Sequence, residues 1–271
     1  MRIAVLISGE PRAIVFKEQI RFFTRIYNSL VKDGHILDTY CMFKLNPTID
    51  YIQSEEGLLN FSEILEVFKP KYLEFFYEFK EDPWLRLKFK KRFPPLYFSQ
   101  IKMIDNLIKQ ASSNRYDLFL RIRPDCILNQ PLTINSINLD TVYTSIKCDA
   151  PGNDQFFYFS KKMLDTWWIP IIRPSLNYIY DIDSSSSLCP EYFIFNHCKK
   201  KQVIGSGLIR DYNKITAWIR YPDKPMTIEN FWSDEKSYQK LKITIDAKLF
   251  LDKLKDISSR YNVIMNTDIP V

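Results

Sequence analysis

Residues 116–128 read YDLFLRIRPDCIL, and the way this stretch is taken decides the fold. Its apolar run, residues 118–122, has the length and composition of a β-strand covered on both faces. The run ends in Arg121, Arg123 and Asp125 rather than in the Gly, Asn or Ser of an ordinary turn. Pro124 stiffens this end and takes one backbone donor out of it. Two readings follow from the pattern alone. An Arg–Asp pair caps the strand, or the strand end is the floor of a polar site.

The residues before this stretch read as repeated strand–helix units. Residues 3–7 are a continuous apolar run followed by SGEPR, residues 8–12. Phe16, Ile20, Phe23, Tyr27 and Leu30 then recur at spacings of three and four, one stripe of a helix that Gly34 closes. A strand is expected over residues 36–43, a helix over 55–68 ended by Pro70, and an aromatic strand over 72–79. After an irregular stretch over 81–94, Tyr97, Ile101, Ile104 and Ile108 mark a third helix. This alternation predicts an α/β fold, a mainly parallel sheet flanked by helices. Ligands of such sheets bind at the carboxyl ends of the strands. SGEPR and RIRPD both fall at carboxyl ends, so the architecture can join them at one rim.

Beyond Pro131 the elements shorten. Strands are expected over 141–145 and 155–159, and a helix over 161–168 that Pro170 and Pro174 break. A helix over 191–201 starts at Pro190, and strands follow at 203–204 and 215–221. Phe250, Leu251, Leu254 and Ile257 give a C-terminal helix.

Composition narrows the functional classes. A chain of 271 residues, 46% hydrophobic and 26% charged, suits one large globular domain over residues 1–271 and excludes a disordered chain. Only six glycines argue against glycine-rich phosphate loops. A net charge of +6 is too small to argue for nucleic acid as a partner and suits an anionic small molecule. The densest basic cluster, Arg86, Lys88, Lys90, Lys91 and Arg92 with Trp84, Phe89 and Phe93 among it, reads first as a solvated loop and second as a peripheral membrane contact or polyanion surface. No apolar run approaches the roughly 18 residues of a transmembrane helix. The five cysteines are odd in number and form no CxxC, so free thiols in a reducing, cytoplasmic setting are expected.

The chemistry-bearing residues are few. With His35 and His197 alone, a histidine metal site or triad has little material. Asp125 at a strand end can hold Mg²⁺ or Mn²⁺, hard cations that bring diphosphates with them. One arginine is expected to face the same cleft, and Arg123 is assigned there because its planar fork suits a diphosphate. Arg121 is left a structural role. Asp181 and Asp183 form an Asp-X-Asp triplet in a serine-rich segment, read as a surface loop with the metal site as its rival. Asn153, Asp154 and Gln155 precede an aromatic strand, as either a plain turn or a hydroxyl-binding set. Glu191 favours a helix start through the dipole, and at a cleft it would serve as a general base.

In this order the pieces resemble glycosyltransferases of the nucleotide-diphospho-sugar (GT-A) fold. More narrowly they are similar to a group from bacterial surface-polysaccharide loci and large DNA viruses. The residues that carry the likeness are SGEPR at 8–12, YFSQIKMID at 97–105, YDLFLRIRPD at 116–125, GNDQFFYFS-x-x-M at 152–163 and Pro190-Glu191. The resemblance implies a GT-A-like mixed sheet, with a nucleotide-binding half over 1–130 and an acceptor-binding half over 131–271. It implies transfer of a hexosyl or pentosyl group from a nucleotide-sugar donor to a hydroxyl of a glycan or glycoconjugate acceptor, as in polysaccharide biosynthesis, and for a viral protein a location in the host cytoplasm. Ser8, Gly9, Arg12, Arg123 and Asp125 would bind the donor, Asp125 with a divalent cation, manganese or magnesium. Asp154 and Glu191 would line the acceptor side, one of them as base if the reaction inverts. The sequence departs from the Asp-X-Asp pattern at Arg123, where a cation stands in place of a carboxylate. Two further readings remain. One is a transferase of another activated ester to sugars, and the other is a non-catalytic carbohydrate- or polyanion-binding protein.

Overall fold

The computed structural model describes residues 1–9, 17–45, 55–77, 94–124, 132, 134, 137–144, 154–176, 194–195, 198, 201–203 and 264–266. The expected elements at 215–221 and 250–257, most of the helix over 191–201, and the basic cluster at 86–92 lie outside these residues.

Strand β1 (Arg2–Gly9) is the centre of the sheet, and every residue from Ile3 onward is buried. Such a strand must be apolar on both faces, which is why its sequence shows no alternation. Helix α1 (Lys17–Lys32) leads to β2 (Ile36–Leu45), and α2 (Glu55–Phe68) leads to β3 (Tyr72–Tyr77). Helix α3 (Pro94–Ala111) returns the chain to β4 (Leu118–Ile122). Then follow β5 (Val142–Thr144), β6 (Phe156–Ser160), β7 (Lys201–Val203) and β8 (Ile264–Asn266). The order across the sheet is β7-β5-β6-β4-β1-β2-β3-β8. Of these strands β6 alone runs against the rest. The fold is thus mixed α/β with a mainly parallel sheet flanked by helices, as the strand–helix alternation predicts.

Side chains of β1 divide by parity between two cores. Ile3, Val5 and Ile7 join Phe23 of α1 and Leu65 and Phe68 of α2. Ala4 and Leu6 face Ile104, Leu107 and Ile108 of α3, where Phe119, Phe157, Phe159 and Trp168 complete an aromatic layer. The rings of Phe159 and Trp168 stack at 5.9 Å. Helix α1 ends where Gly34 takes a φ of 80°. The amide of Gly34 donates to the Val31 carbonyl and that of His35 to Leu30, a Schellman closure.

The break expected at Pro170 does not occur. A short turn, α4 (Lys161–Met163), capped by Ser160 Oγ accepting from the Met163 amide at 3.1 Å, runs on into a π-helical segment, Leu164–Ile172, and then α5 (Arg173–Ser175). In an α-helix the proline ring collides with the carbonyl four residues back. The wider register removes that clash, and the Arg173 amide reaches back five residues to the Trp168 carbonyl.

At the amino ends of the strands, opposite the rim predicted for ligands, sits a polar network around Asp38. Its carboxylate accepts from Arg2 at 2.9 Å, Lys71 at 2.8 Å and the Tyr116 hydroxyl at 2.8 Å. Burial pushes the Asp38 carboxyl up, but the hydrogen bonds from Lys71, Tyr116 and Arg2 outweigh it and hold the group below its ordinary value. A folded value below the unfolded one, about 3.9, means stability that is present above that pH and is lost as pH falls through the folded value. The expected result is that Asp38→Asn lowers the urea midpoint at neutral pH, and that the gap from wild type closes below about pH 4. A gap independent of pH would assign the loss to packing instead.

Candidate functional site

The chain builds β1, β2 and β3 to one side and then places β4 on the other side of β1. The strand order thus reverses at β1 and β4, and in such sheets the crevice for a ligand is expected at the carboxyl ends of the two strands on either side of the reversal. Ser8 and Gly9 close β1 there, and Arg123 and Pro124 follow β4.

Two local features bind these ends together. Gly9 has a φ of 140°, and a Cβ on it would stand 3.2 Å from Pro124 Cδ and 3.4 Å from Arg123 Cγ. Only glycine combines that backbone angle with so close an approach. Beneath them Arg121 is fully buried. Its Nη2 donates to the Ser8 carbonyl at 2.7 Å and its Nη1 to the Ile122 carbonyl at 2.9 Å. One guanidinium thus clamps the last turns of both strands.

Strand alternation alone would put Arg121 and Arg123 on one face, because residues two apart share a face. The two separate because β4 stops at Ile122. Arg121 stays in the sheet's packing, while the Arg123 side chain, past the strand, keeps 15% of its surface exposed.

The antiparallel direction of β6 brings its amino end to the same rim. The Arg123 amide donates to the Gln155 carbonyl at 2.7 Å. Asp154, one residue further, has a side chain only 3% exposed, and its Oδ2 stands 3.9 Å from Arg123 Nη1. Ser8 Oγ and Asp154 Oδ1 are buried with no hydrogen-bond partner among the described residues. Polar atoms so placed are costly unless something completes them.

Of the residues the sequence singled out, the structure brings together Ser8, Gly9, Arg123, Asp154 and Gln155. Arg12, Asp125, Asp181, Asp183 and Glu191 lie outside the described residues. The clamp is the structural role expected of Arg121, although the carbonyls it serves were not legible in the sequence. Its signal was an arginine inside an otherwise apolar buried run, which only pays off when a neighbouring strand ends beside it.

Asp125, the residue expected to hold a divalent cation, lies outside the described part of the rim. Asp154 is its one acidic side chain near Arg123, and the guanidinium already sits beside it. Among the described residues no group of three His, Cys, Asp or Glu side chains converges as metal ligands do. No helix of the described residues is long and apolar enough to cross a membrane.

No family model matches the chain, and no curated protein matches it. Among solved structures the chain is similar to a glycosyltransferase involved in the glycosylation of the major capsid of PBCV-1. That likeness has a TM-score of 0.34 and 10% identity, over 74% of this chain and 81% of that one. The chemistry of the rim therefore stands on its own residues.

Proposed function

We propose that this rim binds the diphosphate of an activated sugar, and that the protein transfers the sugar to a hydroxyl of a glycan or glycoconjugate. The observation that carries the reading is the switch point itself. A partly exposed arginine, Arg123, follows β4 at this reversal of strand order, and the buried Arg121 ties the ends of β1 and β4 together beside it. Fixed cations at such a crevice favour an anion, and a planar guanidinium favours the paired oxygens of a diphosphate.

In this reading Arg123 holds the diphosphate and offsets the charge that develops on it as the anomeric bond breaks. The bond from sugar to diphosphate breaks, a bond from the acceptor oxygen to the anomeric carbon forms, and the acceptor's proton leaves to a base. Glu191 is assigned as that base for an inverting reaction. Ser8, Gly9 and Arg12 belong to the nucleotide side. Asp125 is where a manganese or magnesium ion would bind, and it would add positive charge beside the leaving diphosphate.

The test is calorimetric titration of the wild-type chain with UDP, GDP and dTDP and with their hexose conjugates, with manganese and with chelator, followed by transfer assays. Binding of at least one diphosphate, with the metal-free affinity reduced rather than abolished, is expected. Absence of binding to every member under both conditions would overturn the proposal.

A further inference from the structure

Asp154 is the second charged group of the rim, and its geometry defines a role other than that of a base. We infer that Asp154 anchors a hydroxyl of the donor's own sugar ring, through Oδ1. The inference rests on the proposed binding of a sugar diphosphate at Arg123.

In an in-line displacement the nucleophile enters opposite the leaving group. Hydrogen-bond reach at both ends and a near-attack separation of about 3 Å then put the base roughly 8–10 Å from the cation that holds the leaving diphosphate. Asp154 Oδ2 is 3.9 Å from Arg123 Nη1. It therefore lies on the leaving-group side of the sugar, where a base for an attacking hydroxyl has no access.

The part of the ligand within reach of Asp154 is the part next to the phosphate. A carboxylate whose Oδ2 faces the arginine offers Oδ1 to a donor no more than about one ring width from the bound phosphate. Oδ1 is buried and has no partner among the described residues, so a donor that reaches it completes a group that is otherwise costly. The ring that carries the diphosphate is rich in hydroxyl donors at that range. A second anion beside the carboxylate is disfavoured by like charge.

Asp154 is held where it is by more than its own charge. It stands at the amino end of β6, and Gln155 beside it is tied by its carbonyl to the Arg123 amide at 2.7 Å. Arginine and carboxylate are thus fixed relative to each other, as a ruler for the distance between phosphate and hydroxyl must be.

The experiment compares nucleoside diphosphate with sugar nucleotide at equilibrium and without acceptor. The probe is the UDP-, GDP- or dTDP-hexose that wild type binds most tightly, with the matching diphosphate. Asp154→Ala is expected to weaken the sugar nucleotide about 10- to 100-fold, the loss of one charge-assisted hydrogen bond. The diphosphate alone is expected to bind as well or better, because a negative charge beside it is gone. Asp154→Asn, which keeps an acceptor oxygen, is expected to fall between and carries the comparison if the alanine variant does not fold. Unchanged sugar-nucleotide affinity with transfer abolished would overturn the inference and make Asp154 the base. Equal weakening of diphosphate and sugar nucleotide would also overturn it, placing the effect on Arg123. If wild type binds no diphosphate at all, the parent proposal has failed and this one falls with it.

Discussion

Arg121→Met is expected to lower the unfolding free energy by about 3 kcal/mol or more, because it strips two buried carbonyls of a charged donor. The carbonyls are those of Ser8 and Ile122, at 2.7 and 2.9 Å from the guanidinium. Methionine fills much of the volume but offers no N–H, so the penalty falls on acceptors that water cannot reach. Arg121→Lys keeps the charge and loses the fork, and one ammonium is poorly shaped to serve two carbonyls on different strands. Its loss should be about half as large. The measurement is urea unfolding followed by tryptophan fluorescence, with the buried Trp167 and Trp168 as reporters. A shifted midpoint at constant slope is a change in stability rather than in the extent of unfolding. Unchanged midpoints for both variants would mean that backbone pairing alone holds the strand ends.

The clamp explains why the fold was easier to read than the site. Strand β1 and strand β4 are buried on both faces, so their apolar runs are unbroken and stand out from the surrounding sequence. The stripe on α1 and the Pro70 stop after α2 are equally local signals. By contrast β8 is three residues, Ile264 to Asn266, too short to show any period, and only its pairing with β3 makes it a strand. Pro170 reads as a breaker because the local rule assumes an α-helical register, and the rule no longer applies once the helix widens.

The meeting of the β1 and β4 ends at one rim followed from the strand–helix alternation, but the place of Asp154 and Gln155 beside them did not. Asp154 and Gln155 stand out as polar residues before an aromatic strand, and nothing local says which end of the sheet they reach. The direction of β6 decides that, and it depends on pairing between residues far apart in the chain, such as Arg121 with Phe157. The same holds for Gly9. Its sequence context suggests a ligand-facing glycine, yet the groups that a Cβ would meet are Pro124 and Arg123. Gly9 therefore positions the rim's arginine by allowing β1 to approach the turn after β4.

The largest effect on binding is expected at Arg123. Two charge-assisted hydrogen bonds from one guanidinium to a diphosphate contribute about 3 kcal/mol, so Arg123→Ala should weaken diphosphate binding by roughly 100-fold. Arg123→Lys retains the charge without the planar fork and should recover only part of this. Unlike the change at Asp154, the change at Arg123 is expected to weaken the nucleoside diphosphate and the sugar nucleotide alike, because both share the group it holds. The fold answers separately. Arg123→Ala leaves the Asp154 carboxylate, 3% exposed, without the cation now 3.9 Å away, and burial of a charge is costly when its partner is removed. Pairing Arg123→Ala with Asp154→Asn removes that cost and should restore part of the stability while leaving diphosphate binding weak. If the double variant regains binding as well, the arginine acts on the fold rather than on the ligand, and the anion must be held elsewhere on the rim.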